Sequence, residues 1–157
     1  SEMQGEFRAF DGELLIDNAD ISKSSVNVSI DAASIDMDVD KLNEHLKTKD
    51  FFDAANQPKL TFKSSKVEAK GDNGLTVTGD LTLLGVTKPV TLDVTMKKVA
   101  SHPFAKRPAI GFHAEGTIKR SDFGMNYGIP NIGDVVKIRI DSETIQAAPA
   151  AAEAAKS

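Results

Sequence analysis

The sequence predicts an all-β protein built from antiparallel strands, with one short helix. Apolar and polar residues alternate with a period of two in six or seven stretches, which is typical of strands buried on one face. Turn-forming residues separate most of these stretches, and one interval has helical spacing instead. The length of 157 residues fits one domain. We assign residues 1–146 to that domain and residues 147–157 to an alanine-rich tail, which we expect to be disordered or a frayed helix.

The first two strands are predicted from short alternating stretches. The apolar residues occupy alternate positions in residues 5–17, the less regular opening segment. They do so again in the stretch that begins at residue 26. The residues on these two apolar faces are Phe10, Gly12, Leu14, Ile16, Val26, Val28, Ile30 and Ala32.

The next interval predicts a short helix. Its apolar residues, Val39, Leu42 and Leu46, recur at helical spacing. Asp38 precedes the interval and is a candidate N-cap. The apolar pair at residues 51–52, Phe-Phe, follows shortly afterwards, and two large rings are costly to leave in water. We expect both rings to pack under the helix or over an opening.

The central strands show the most regular alternation. Their apolar faces consist of Leu60, Phe62, Leu75, Val77, Gly79, Leu81, Leu83, Val90, Leu92, Val94 and Met96. The parity slips at residues 64–65, which predicts a β-bulge. Residues 71–74 (Gly-Asp-Asn-Gly) predict a tight hairpin, and residues 85–89 connect two further strands that we expect to be neighbours.

Two long antiparallel strands are predicted near the end of the chain. Their apolar faces consist of Ile110, Phe112, Ala114, Gly116, Ile118, Val136, Ile138 and Ile140. Residues 102–108 contain two prolines and predict a longer loop before them.

The composition excludes several classes of protein. The 19 Lys and Arg residues against 23 Asp and Glu residues give a net charge of −4 with the signs mixed along the chain, which argues against a nucleic-acid or anionic-membrane binder. No apolar run is long enough for a transmembrane helix, and no signal peptide precedes the domain in this chain. The absence of cysteine excludes disulfides and thiolate zinc sites.

Strands with a single apolar face must bury that face against a second sheet or by closing into a barrel. A sandwich and a barrel are therefore both compatible with the pattern. A barrel of about eight strands has an interior that is either filled by side chains or able to hold one small ligand. The inward candidates here are mainly Val, Leu, Ile, Ala and Gly, and these modest side chains favour a tunnel for an apolar guest.

The sequence offers no catalytic or metal-binding constellation. The three histidines, His45, His102 and His113, lack the spacing of a metal site. No Gly-x-Ser-x-Gly nucleophile motif is present, and the Asp-Phe-Gly at residues 122–124 occurs without the other kinase motifs. His45 lies beside the helix and the Phe-Phe pair, so it is the one candidate for a polar contact at a cavity mouth.

A series of ordered motifs resembles the YceI-like family. The motifs are residues 30–35 (IDAASI), 43–47 (NEHLK), 50–53 (DFFD), 60–64 (LTFKS), 77–83 (VTGDLTL), 85–90 (GVTKPV), 118–125 (IKRSDFGM) and 133–138 (GDVVKI). The resemblance covers most of residues 7–145. It implies a lipocalin-like antiparallel barrel of about eight strands, found in the periplasm or secreted, which binds polyisoprenoid chains such as isoprenoid quinones or related long-chain amphiphiles. It implies no catalysis and no cofactor besides the bound lipid.

The resemblance also implies which residues contact the ligand. The expected tunnel-lining residues are Phe10, Leu14, Val28, Ile30, Phe62, Val77, Leu81, Leu92, Val94, Phe112 and Ile138. The residues expected to shape the mouth or flank are Leu42, Leu46, Phe51 and Phe52. The segment at residues 120–124 is expected to form a structural corner.

The chain departs from the family pattern at two places. Family members begin roughly one strand before the Gly-x-Phe found here at residues 5–7, so the barrel is expected to lack that strand. Its place is then left open or filled by a partner chain, as in a homodimer. In addition, Leu84 stands where many members have histidine.

Three functions remain as hypotheses from the sequence. The first is carriage or sequestration of an isoprenoid lipid in an apolar tunnel. The second is a structural or protein-interaction module whose core is filled by its own side chains. The third, which we weight least, is an enzyme acting on a lipid head group through His45 or an aspartate at the rim.

Overall fold

The computed structural model describes residues 5–99 and 109–145. The strands are β1 (Glu6–Phe7), β2 (Phe10–Leu15), β3 (Ser25–Asp31), β4 (Ile35–Asp36), β5 (Lys59–Lys70), β6 (Gly74–Leu83), β7 (Val86–Val99), β8 (Ala109–Lys119) and β9 (Val135–Ile145). Helix α1 covers Asp40–Leu46, and short 3-10 turns cover Ile21–Lys23, Ala32–Ser34 and Arg120–Phe123. The predicted loop at residues 102–108, including His102, and the predicted tail at residues 147–157 lie outside the described residues.

Seven strands form one antiparallel sheet in the order β2-β3-β5-β6-β7-β8-β9, and β1 pairs with β4 in a separate ribbon. The sheet curls into a half-barrel. Strands β2 and β9 are its two edges, and within the described residues neither has a partner on its outer side. The prediction of an antiparallel all-β fold with one short helix is confirmed.

A β-bulge in β5 corrects the parity of its apolar side chains. The register against β6 shifts between Ser64 and Lys66, as the sequence predicted. The apolar face therefore passes from Leu60 and Phe62 before the bulge to Val67 after it. Ser64 also links two strands, since its Oγ accepts a hydrogen bond from the Val26 backbone N–H at 2.9 Å.

The helix begins differently from the prediction. Asp38 is not the N-cap: it lies in the left-handed region at φ 62°, and Val39 occupies the cap position without a side-chain hydrogen bond. The polar contacts come from Asn43, whose Oδ1 accepts from the Met37 N–H at 2.7 Å and whose Nδ2 donates to Asp36 at 3.1 Å. Asp36 also accepts from the Asp38 N–H, so the turn before α1 is organised around Asp36.

Strands β6 and β7 are joined by a two-residue turn in which Leu84 and Gly85 both have positive φ. Leu84, at φ 55°, is half-buried and packs against the hydrophobic core. Residue 84 is therefore an apolar turn position in this chain.

Within the described residues, no helix is both long enough and apolar enough to cross a membrane.

Candidate functional site

The inner face of the curled sheet is a continuous apolar surface, which we call the concave face. Residues directly opposite each other in an antiparallel pair point to the same side. Val28 faces Phe62, and Phe62 faces Leu81 across the next pair of strands. The same reading places on this face every tunnel-lining candidate: Phe10, Leu14, Val28, Ile30, Phe62, Val77, Leu81, Leu92, Val94, Phe112 and Ile138.

Burial varies across the concave face. Near the middle of the central strands the inward side chains of Leu75, Val77, Leu81 and Leu92 are buried; Val77, for example, is 0% exposed. Toward both edges they open to solvent: Phe10 on β2 is 41% exposed, and Phe112 and Ile138 on β8 and β9 are half-buried. The concave face is therefore a trough with a packed floor and accessible apolar flanks.

Gly79 allows the floor of the trough to pack closely. A Cβ added there would lie 2.6 Å from Cζ of Phe62 and 2.5 Å from the Lys63 carbonyl oxygen. Any larger residue at this position would have to displace a backbone atom of β5. The Phe62 ring is thus accommodated beside a strand position that carries no side chain.

An aromatic cluster lies at one end of the sheet, next to α1. We call this the helix end. The rings of His45, Phe51 and Tyr127 contact one another edge to face, with centroids 5.1–5.3 Å apart. Phe52 contacts Phe7 of β1 in the same way at 5.3 Å. The expected mouth residues are therefore here, with Leu46 and Phe51 buried and Leu42 and Phe52 half-buried.

Arg120 stabilises the helix end through its contacts with Phe51 and with backbone carbonyl groups. Arg120 is 5% exposed, and the Cζ of its guanidinium lies 5.4 Å from the centroid of the Phe51 ring. It donates to the carbonyl oxygens of Tyr127, Ile132 and Gly133, and Nε has no partner among the described residues. Burial lowers the pKa of Arg120. The corner expected at residues 120–124 is thus held by a buried cation.

Sequence reasoning missed Arg120 and Tyr127 as parts of this cluster. Arg120 stood in a motif assigned to a corner, but alternation carries no signal that its side chain turns inward. Tyr127 is the only tyrosine in the chain, and it lies in an irregular segment without any period. The one signal available for Tyr127 was that the chain contains no other tyrosine.

His45 makes local contacts. Its Nε2 lies 2.8 Å from Oδ2 of Asp50, four residues beyond α1. Its ring packs against Phe51 and Tyr127. The contacts of His45 described here are therefore all with residues of the helix end. Among the residues described here, no group of three or more potential ligands is placed to hold a metal ion.

His113 lies on the outer face of β8, away from the concave face. Its Nδ1 is 2.6 Å from Asp141 and its Nε2 is 3.0 Å from Glu115. The hydrogen bonds to Asp141 and then to Glu115 raise the pKa of His113. The imidazolium therefore joins β8 to β9 on the side opposite the candidate site.

This contact predicts a pH-dependent stability. Folding raises the pKa of His113. The stability that its ion pairs contribute is therefore fully present below the pKa of the unfolded state, near 6.5, and is lost as pH rises through the pKa of the folded state. Urea unfolding of the parent and of His113→Gln should differ more at pH 5.5 than at pH 9. A difference that grew with rising pH would contradict the assignment.

Comparison with known proteins identifies the family. A family model described as the YceI-like domain matches residues 1–144. The chain is 38% identical over 146 residues to Protein YceI of Escherichia coli O157:H7, covering 93% of this chain and 75% of that protein. It is 37% identical over the same length to Protein YceI of Salmonella newport, with the same coverage.

Solved structures agree with the fold. A Campylobacter jejuni YCEI protein that crystallizes with large solvent channels has a TM-score of 0.84 and 30% identity, covering 94% of this chain and 87% of that one. BcnA of Burkholderia cenocepacia has a TM-score of 0.79 and 30% identity, covering 89% and 86%. YceI proteins are binding proteins, generally periplasmic, with a fold known for binding polyisoprenoids. Because the family model matches nearly the whole chain and the solved structures share its strands, this chain belongs to the YceI-like domain family.

Proposed function

We propose that this protein binds and carries a long-chain isoprenoid lipid, such as an isoprenoid quinone, along its concave face. The observation that supports this most is the graded burial of the face, whose inward side chains are apolar but only half-buried toward β2 and β9. A module with a core filled by its own side chains would cover those flanks, so the exposed apolar surface favours a guest.

The driving force is removal of apolar surface from water. Each buried methylene contributes about 0.8 kcal/mol. A guest that buries about a dozen carbons therefore gains on the order of 10 kcal/mol before association costs, which leaves room for submicromolar affinity. No covalent step is required, and the proposed role needs none of the histidines to act as acid or base.

Native mass spectrometry tests the proposal. The protein is measured as purified and after incubation with octaprenyl quinone, and the expected result is a one-to-one complex that survives removal of excess lipid. A quinone without the isoprenoid tail serves as the matched control and should not be retained, because it lacks the apolar area. Failure to retain any long apolar molecule would overturn the proposed function.

A further inference from the structure

Edge strand β2 carries a glycine in the middle of its concave side. Gly12 lies opposite Val28, and its neighbours on the same side of the strand are Phe10 and Leu14. A glycine inside a strand loses more conformational entropy on folding than other residues do, and it adds no side chain to the packing. Glycine at this position therefore costs stability unless the empty space above it is used.

Two other described glycines of the concave face are required by packing within the sheet. Gly79 makes room for the Phe62 ring, as described above. At Gly116 an added Cβ would lie 2.6 Å from a methyl carbon of Leu92 and 3.2 Å from the Thr91 carbonyl oxygen. These distances are shorter than ordinary van der Waals contact, so neighbouring atoms exclude a side chain at both positions.

The described part of the molecule does not require glycine at position 12. An added Cβ would lie 3.8 Å from the Asn27 carbonyl oxygen and 3.9 Å from a methyl carbon of Val28, which are ordinary contact distances. The φ of Gly12 is outside the left-handed region, and β2 pairs with β3 from Phe10 to Leu15 without a bulge. A larger residue would therefore fit the backbone and its described neighbours.

The missing side chain leaves a space above Gly12 in the apolar flank of the trough, which we call the notch. The Cα atoms of Phe10 and Leu14 are roughly 13 Å apart along the strand, and no side chain stands between them on this face. Phe10 is 41% exposed, Leu14 is half-buried, and Val28 borders the notch on the side of β3. The notch thus has apolar sides and the bare backbone of β2 at its bottom.

The direction of the missing side chain indicates what fills the notch. Side chains stand roughly perpendicular to a sheet, so a residue larger than glycine at position 12 would project into the trough. A strand that paired with β2 would instead approach in the plane of the sheet, about 4.8 Å away, and would not need this glycine. The occupant therefore enters from the trough, and the apolar sides of the notch match a hydrocarbon chain.

We infer that a segment of the guest's apolar chain lies in the notch, in van der Waals contact with the β2 backbone at Gly12. Close approach of a ligand to the backbone is one of the uses of glycine inside a strand. Phe10 and Leu14 then contact the chain from its two sides, which removes the exposed surface of Phe10 from water. This inference rests on the proposed function and deepens it, because it makes Gly12 a residue that determines which guests fit.

Gly12→Val fills the notch and tests the inference by two measurements that should change in opposite directions. Valine suits a strand better than glycine, so the midpoint of urea unfolding should rise. The affinity for geranylgeraniol, an isoprenoid alcohol, should fall about tenfold in calorimetric titration, because the guest and the added side chain compete for one space. Gly12→Ala adds a single methyl group and should lose less affinity than Gly12→Val.

The matched control is Asp11→Val. It adds the same valine to β2 on the outer face, where Asp11 is exposed. Its affinity for geranylgeraniol should stay within about twofold of the parent value. An equal loss of affinity in Asp11→Val and Gly12→Val would assign the effect to the strand as a whole and overturn the inference.

A second readout uses the absence of cysteine from the chain. Saturating geranylgeraniol should slow the modification of Gly12→Cys by a maleimide several-fold, because the bound chain covers the notch. It should leave the modification rate of Asp11→Cys, on the outer face of the same strand, unchanged.

The outcomes separate the two proposals. If the parent protein binds neither geranylgeraniol nor octaprenyl quinone, the proposed function fails and the inference fails with it. If the parent binds and Gly12→Val binds at least as tightly, the notch is not occupied, and lipid binding stands without it. A fall of both the urea midpoint and the affinity in Gly12→Val would mean that the fold itself requires the glycine, which also overturns the inference, as does unslowed modification of Gly12→Cys.

Discussion

Replacing Arg120 by alanine is expected to destabilise the protein by about 3 kcal/mol, because partly buried carbonyl groups lose their donor and a cavity opens beneath Phe51. Arg120→Lys should recover only part of the loss, since one ammonium cannot reproduce the planar fork that reaches the carbonyls of Tyr127, Ile132 and Gly133 together. Urea unfolding measures both variants.

The matched control for Arg120 is Arg139, an exposed arginine on the outer face of β9. Arg139→Ala should change stability by about 0.5 kcal/mol or less, since its ion-pair distance to Glu115 is 3.9 Å and both side chains are largely solvated. Equal unfolding midpoints for Arg120→Ala and the parent would show that the helix-end corner does not depend on the buried cation.

Replacing Ile138 by glutamate is expected to weaken binding of an isoprenoid chain roughly 100-fold, because the guest would have to desolvate a carboxylate on the flank of the trough. Ile138 is half-buried on edge strand β9, opposite Gly116, so the new side chain can reach solvent when no guest is bound. Folding should therefore survive, and circular dichroism verifies it before lipid retention is measured.

Thr61→Glu provides the control for Ile138→Glu. Thr61 is exposed on the outer face of β5, so the variant carries the same added charge away from the trough. It should retain lipid like the parent protein. Equal loss of binding in both variants would mean that net charge, and not the concave face, governs retention.

Alternation alone predicted the apolar side of each strand, because a period of two determines which side of a strand each residue occupies. It placed Val28, Val77 and Ile138 on the apolar sides of their own strands, and the strand pairing brings those sides onto one face. Even the β5 bulge was visible, since a single extra residue reverses the parity that follows. The family resemblance then supplied the expected barrel and guest.

Features that depend on strand neighbours were not predictable in this way. The pairing of β7 with β8 ends at Asp93, yet the alternation of Val90 and Leu92 continues past that residue unchanged. Likewise, Asp38 looked like an N-cap because of its residue type, whereas Asp36 and Asn43 take the turn's hydrogen bonds through contacts that no local spacing encodes.

The most direct test of the account is intermolecular NOE spectroscopy between unlabelled octaprenyl quinone and protein with labelled Ile, Leu and Val methyl groups. We expect NOEs from the isoprenoid chain to Ile138, Leu14 and other methyls of the concave face. None is expected to Val39, which is 53% exposed and lies outside the sheet. NOEs confined to Val39 and other methyls outside the trough would contradict it.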